Sequence, residues 1–335
     1  MKSTTISAQW QQHHFVAMNT AVSAWCYGDG TTQPQMVEAL FRSYERVLSR
    51  FDPGSDLSQL NRSELVLSPV SPALFGALQA ALWGAAATGG LYDPTLLAEL
   101  EQAGYDRSFD QIVERAQFQW TAAKSRPGGS EAGRTGSRPW DWRSVELEAE
   151  QQAVRRPRGL RFDLGGTGKG WTVDRAADLL HGGGPFLLNA GGDLYAGGRP
   201  DGVRGWRVEI EHPLRPQETI ASLQLHDAAL ATSAVTKRRW RKDGDMRHHL
   251  IDPRSGQPAQ TDALSVSVIA SRTLVAEVHA KAALLLGAEA GLAYLAAAPG
   301  VEGLIYRSDG QVLYTEGCEQ LLVDLNSPAR RSLAA

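Results

Sequence analysis

Two adjacent histidines, His248 and His249, stand directly ahead of Leu250-Ile251-Asp252-Pro253 in the run HHLIDPRSGQP. An imidazole titrates near neutral pH, so the pair offers a general base or a ligand beside an Asp-Pro turn. A surface turn with one exposed histidine is the alternative. The second run with chemistry in it is Asp163-Leu164-Gly165-Gly166-Thr167-Gly168-Lys169-Gly170. A glycine loop that opens a helix presents backbone N–H groups and the positive end of the helix dipole, which suits a phosphate. Gly170 stands where a P-loop needs Ser or Thr, and the glycines are spaced too tightly for the dinucleotide fingerprint. A tight structural turn therefore competes with a phosphate site of another kind. Tyr92-Asp93-Pro94-Thr95 and Phe51-Asp52-Pro53 each read, alone, as ordinary capped turns. Asn189-Ala190-Gly191-Gly192-Asp193 marks either the close approach of a ligand or a sharp bend. A basic cluster, Lys237, Arg238, Arg239, Arg241 and Lys242, just precedes the histidines and fits a charged partner or a solvated loop equally well.

These residues need elements to hold them. Apolar spacing predicts a helix over 35–51, with Pro34 ahead of it, and a second over 72–88 that stops at Gly89-Gly90. VELEAEQQAVRR, from Val145, alternates like a hairpin. LRFDL (160–164) is expected as a strand leading into the glycine loop, with a helix WTVDRAADLL behind it. Extended runs follow at PFLLNA, WRVEIEHP, IASLQLHDAALATS and LSVSVIA, then a helix over 275–286 and a hairpin turning at Asp309-Gly310. Strands and helices mix without strict βαβ alternation, so the expected class is α+β. One domain spans 10–325, with 326–335 as a flexible tail. Residues 121–141, rich in Gly, Ser, Arg and Pro and without periodicity, read as a disordered insertion within that domain.

Composition narrows the function classes. A net charge of −3 over 335 residues gives nucleic-acid binding no support. Two cysteines, Cys26 and Cys318, are too few for a disulfide framework or thiolate metal site and read as inert thiols. The N-terminus lacks the apolar core of a signal peptide, and no apolar stretch is long enough for a membrane span, so the expected location is cytoplasmic.

Taken in order, the runs resemble the ApbE family of FAD:protein FMN transferases from about Met18 to Leu322. The resemblance is carried by AMNT (17–20), SRFDPGSDLSQLN (49–61), GLYDPT (90–95), FDLGGTGKGWTVDRAADLL (162–180), LLNAGGDLYAGG (187–198), HHLIDPRSGQP (248–258) and SVSVIA (265–270). It implies an ApbE-like α+β fold with two mixed α/β lobes around an FAD cleft. It also implies an enzyme that moves FMN from FAD to a Ser or Thr hydroxyl of an acceptor protein and releases AMP. An FAD carrier or sensor without transfer, or a hydrolase giving FMN and AMP, are the alternatives. By position, Met18, Phe51, Leu91, Tyr92, Asp93, Asp163, Lys169 and Ile251 match residues that hold FAD in the family. His249 matches the base that takes the hydroxyl proton. Asp174, just past the glycine loop, is a weaker candidate, with a helix-surface carboxylate as the alternative.

One departure matters. In the family the helix after the SVSVIA-like strand carries Ala-Asp-x-x-x-Thr, and the Asp and Thr side chains, with nearby carbonyls, hold Mg²⁺ on the pyrophosphate. Here the matching residues are Ala276, Glu277 and Lys281. Lys281 either sets its own charge on the pyrophosphate, as an FAD contact, or swings aside while Glu277, the Gly166 and Ala280 carbonyls and waters hold Mg²⁺. In a third arrangement Glu277 and Lys281 form an i,i+4 helix pair.

Overall fold

A computed structural model of the protein describes residues 9–28, 33–112, 138–242, 245–326 and 329–331. Its frame is a nine-stranded sheet among the described residues. The strands are β1 (Gln9–Ala17), β2 (Thr20–Gly28), β3 (Phe186–Ala190), β4 (Asp193–Gly197), β5 (Ala228–Ala234), β6 (Ala263–Ala270), β7 (Glu302–Arg307), β8 (Val312–Tyr314) and β9 (Ala329–Arg331). Their order across the sheet is their order along the chain. Each neighbouring pair is antiparallel until β8 and β9, which run parallel. β6, ALSVSVIA, is buried at every position, which its Val and Ile content tolerates only in a strand covered on both faces.

The helices are inserted between sheet neighbours. α1 (Gln33–Leu48), α2 (Pro72–Ala87) and α3 (Gly168–Leu180) lie between β2 and β3; α4 (Thr273–Leu286) and α5 (Ala288–Ala297) lie between β6 and β7. α1 buries Val37 and Phe41, which share a core with Ala24 of β2 and Val173 of α3. α2 begins on the Ser71 hydroxyl, which accepts from the Leu74 amide at 3.2 Å, and has Pro72 in its first turn. It ends at Gly89 and Gly90, whose φ values of +60° and +83° carry the chain out toward Tyr92. α4 packs against β5 and β6, and a smaller sheet of Trp206–His212, Arg215–Leu225 and Leu322–Leu325 shares the β5–β7 core.

The α+β expectation holds, and the helices predicted over 35–51, 72–88 and 275–286 are α1, α2 and α4. LRFDL is not a strand. Residues 160–164 pair with no strand among the described residues, and the Asn61 amide holds their backbone instead: its Nδ2 donates to Phe162 O at 2.9 Å and its Oδ1 accepts from Phe162 N at 2.8 Å. Of the expected insertion at 121–141, residues 121–137 lie outside the described residues. Arg138 is packed, with Nη1 2.9 Å from Asp93 Oδ2 and Nε 3.0 Å from Glu99 Oε1. Within the expected tail, Ala329–Arg331 pairs with β8 instead of hanging free. Cys26 and Cys318 are buried and unpaired, and burial pushes their thiols up to about 11 and about 12. No helix among the described residues is long and apolar enough to cross a membrane.

Candidate active site

The loops between the strands meet in one cleft of about 210 Å³. It is lined by Met18, Phe51, Leu91, Tyr92, Asp93, Asp163, Gly166, Lys169, His249, Ile251 and Lys281. These positions are scattered through the chain, and the fold brings them together. Glu277 and Ala280 stand behind this wall, buried in α4.

Met18 and Asn19 form the two-residue turn between β1 and β2, with φ of 52° and 57°. A left-handed backbone at methionine is strained. The turn is held in place by the Met18 amide, which donates to Glu45 Oε1 at 2.7 Å. Tyr92 is buried, its hydroxyl 3.0 Å from Thr167 Oγ1. A Cβ on Gly166 would lie 2.9 Å from the Tyr92 ring and 3.1 Å from Lys281 Cε, so only glycine lets the loop pass between them.

The carboxylates of Asp93 and Asp163 are occupied by the protein itself. Asp93 Oδ1 accepts from the Thr95 amide at 2.8 Å and hydroxyl at 2.6 Å, and its Oδ2 from Arg138. Asp163 Oδ1 accepts from Gly165 N at 2.9 Å, and Arg50 Nε lies 2.5 Å from its Oδ2. Arg50 was not foreseen as a site residue. Its guanidinium sits 4.1 Å from the Phe51 ring centroid and 4.6 Å from that of Tyr105, and donates to Tyr105 O at 2.8 Å. It lies inside the 49–61 run, where no spacing rule singles it out.

The two histidines differ. His248 Nε2 is 3.0 Å from the Ala259 carbonyl, which can only accept, so that nitrogen carries the proton. Its Nδ1 accepts from Leu250 N at 3.3 Å. Both nitrogens are committed, and burial holds its pKa down at about 4. His249 lines the cleft, and its buried Nδ1 has no hydrogen-bond partner among the described residues. Burial first, then the charges of Arg238, Lys281 and Lys169, keep its ring well below the usual histidine pKa.

Lys169 Nζ contacts the Asp193 carboxylate and lies 3.5 Å from Glu277 Oε1. Burial outweighs the Glu277 charge and lowers Lys169 to about 8. Lys281 Nζ donates to the same Glu277 Oε1 at 3.1 Å, while Glu277 Oε2 accepts from Gly170 N at 3.0 Å. The i,i+4 pair therefore forms, and its lysine also lines the cleft. A Mg²⁺ ion does not fit this donor set. Both oxygens of Glu277 already accept hydrogen bonds, and an ammonium stands where the resemblance places a neutral oxygen ligand. Of the basic cluster, Arg238 lines the cleft, Lys237 pairs with Glu211 at 3.3 Å, and Lys242 reaches back to Gln102 O.

Asp174 is not a helix-surface carboxylate. It is buried and accepts from the Thr273 and Leu274 amides at 2.7 and 3.1 Å, so α3 caps the N-terminus of α4. α4 has no side-chain cap of its own, and that absence was the signal available in sequence.

Comparison with known proteins agrees with this geometry. The family model described as the ApbE family matches residues 18–305. The chain is 32% identical over 296 residues to the FAD:protein FMN transferase of Treponema pallidum, covering 84% of this chain and 78% of that one. It is 26% identical over 250 residues to the FAD:protein FMN transferase of Escherichia coli K12, covering 73% and 68%. Among solved structures, the ApbE protein of Thermotoga maritima superposes with a TM-score of 0.76 at 24% identity, covering 94% of this chain and all (100%) of that one. The apo flavinyl transferase ApbE of Pseudomonas stutzeri gives 0.75 at 23%, covering 95% and 98%. At these identities the superpositions speak for the fold.

Proposed function

The chain belongs to the ApbE family, and we propose that it binds FAD in the cleft and transfers the FMN half to a Ser or Thr hydroxyl of an acceptor protein, releasing AMP. The observation that carries this reading is His249: a neutral imidazole in the cleft, its buried Nδ1 unpartnered among the described residues, beside the lysines of the glycine loop and of α4.

The apolar wall of Met18, Phe51, Leu91, Tyr92 and Ile251 suits a flat isoalloxazine, which aromatic rings and a polarisable thioether contact well. Asp93 and Asp163 order their loops through Thr95, Arg138 and Arg50, and their remaining lone pairs can accept from ribose or adenine donors. Lys169 and Lys281 meet the pyrophosphate. In the transfer step His249 takes the acceptor hydroxyl's proton, and that oxygen forms a bond to the FMN phosphorus. The bond from that phosphorus to the AMP oxygen breaks, and AMP leaves with the electron pair. The fixed positive charge on the pyrophosphate stabilises the charge that develops there. The donor set around Glu277 does not fit Mg²⁺, and no step here depends on the ion.

The test is incubation of the protein with FAD and a co-expressed acceptor, read as a fluorescent flavin band on the acceptor. His249→Ala should abolish the band while FAD still binds. A wild-type rate in that variant would remove the assignment, and free FMN and AMP without labelled acceptor would make the protein a hydrolase.

A further inference from the structure

Glu277 and Lys281 are both withdrawn from water, with 2% and 14% of their side-chain surface exposed. An exposed i,i+4 pair steadies a helix slightly, whereas a buried one must first be desolvated and adds little net stability. Helix support is therefore a poor account of Lys281. Its ammonium has three donors, of which one goes to Glu277 Oε1 at 3.1 Å and one, weakly, to the Glu277 carbonyl at 3.4 Å. The third is left for the cleft. Lys281 Cε lies 3.1 Å from where a Cβ on Gly166 would be, so the lysine stem packs against the glycine loop.

Resting on the reading of FAD as the ligand, we propose that Lys281 is the built-in cation for the FAD pyrophosphate, and that FAD binding by this chain requires no divalent metal ion. A magnesium ion needs oxygen lone pairs at ~2.0–2.1 Å in near-octahedral array. Glu277 Oε1 already serves Lys281 and Lys169, and Oε2 serves the Gly170 amide. Lys281 offers hydrogens where a ligand must offer lone pairs. Admitting the ion would pull both lysines off a buried carboxylate and set three cations against one another. A phosphate oxygen, by contrast, accepts directly from an ammonium in a short, charge-assisted bond. The local charges already balance: Glu277 and Asp193 against Lys169 and Lys281. Surplus positive charge for the anion comes from Arg238, which lines the cleft and makes no ion pair among the described residues.

The experiment titrates FAD into the full chain by flavin fluorescence, in excess EDTA and in excess MgCl₂, for the wild type, Lys281→Thr and Lys281→Met. Wild-type affinity should agree within about twofold between the two conditions. Lys281→Thr, which restores a neutral oxygen, should bind at least about tenfold more weakly in EDTA and recover with Mg²⁺. Lys281→Met should be weak in both, with thermal melts showing that each variant is folded. Either a wild-type loss of about tenfold in EDTA or a Lys281→Thr protein that binds normally in EDTA overturns the proposal while leaving the FAD reading intact. No FAD binding in any condition would overturn both.

Discussion

His248 and His249 are neighbours in sequence and have opposite assignments in space. One spends both ring nitrogens on backbone groups, and the other keeps Nδ1 unpartnered among the described residues. The consequence for pH follows from sign. The His249 pKa is depressed below 6.5, so its neutral form persists in the folded protein to lower pH than in the unfolded chain. As pH falls below 6.5 the unfolded chain takes up this proton first, and the histidine's share of stability declines. We expect single-turnover transfer to stay level down through pH 6.5 and fall only below it. Replacing a neighbouring cation, as in Arg238→Gln, should move that acid limb upward. An acid limb at or above 6.5 in the wild type would contradict the neutral-base role. His248→Ala should lower stability more than chemistry, because it removes the donor to the Ala259 carbonyl and leaves the base in place.

At the scale of elements, α4 carries Glu277 and Lys281 but leaves its own first turn uncapped, and Asp174 of α3 supplies the missing acceptor. Asp174→Ala should cost about 1–3 kcal/mol by denaturant titration, since it strands the buried Thr273 amide and the half-buried Leu274 amide. It should weaken FAD binding as well, because the turn that carries Glu277 loses its anchor. Unchanged stability would refute the cap. Asn61 acts in the same way on Phe162, and Asn61→Leu should destabilise by about 1–3 kcal/mol through the two backbone groups it leaves unpaired. These examples mark how far the sequence could be read. α1, α2 and α4 were visible because periodicity, caps and glycine stops act over adjacent residues. The bonds that place LRFDL, Asp174 and Arg50 come from residues 101, 99 and 113 positions away in the chain, counting Asn61 to Phe162, Asp174 to Thr273 and Arg50 to Asp163. No local pattern announces such partners. Lys281 was legible as a departure from the family pattern, but its shared hold on Glu277 with Lys169 was not.

Over the whole molecule, one residue ties the histidine loop to the helical layer. Trp240 is fully buried, stacks on Tyr105 with centroids 5.3 Å apart, and donates from Nε1 to Ala103 O at 2.8 Å. Trp240→Ala should therefore cost about 3–5 kcal/mol, and it should slow transfer more than it weakens FAD binding, because the hairpin ahead of His249 loses its footing. Equal losses in both would show that the tryptophan holds the cleft as a unit. The sheet itself has a consequence of a different kind, for how the chain is made. Since strand order in space is strand order in sequence, each strand of the sheet meets its partner as it leaves the ribosome, with one long wait and three shorter ones. β3 must wait for α1, α2, α3 and the glycine loop, while β5, β6 and β7 wait only for residues 198–227, 235–262 and 271–301. Loop closure over those spans is the slow part of sheet formation. Chains stalled before β3 would expose an unfinished edge at β2, and co-translational chaperone capture should concentrate there.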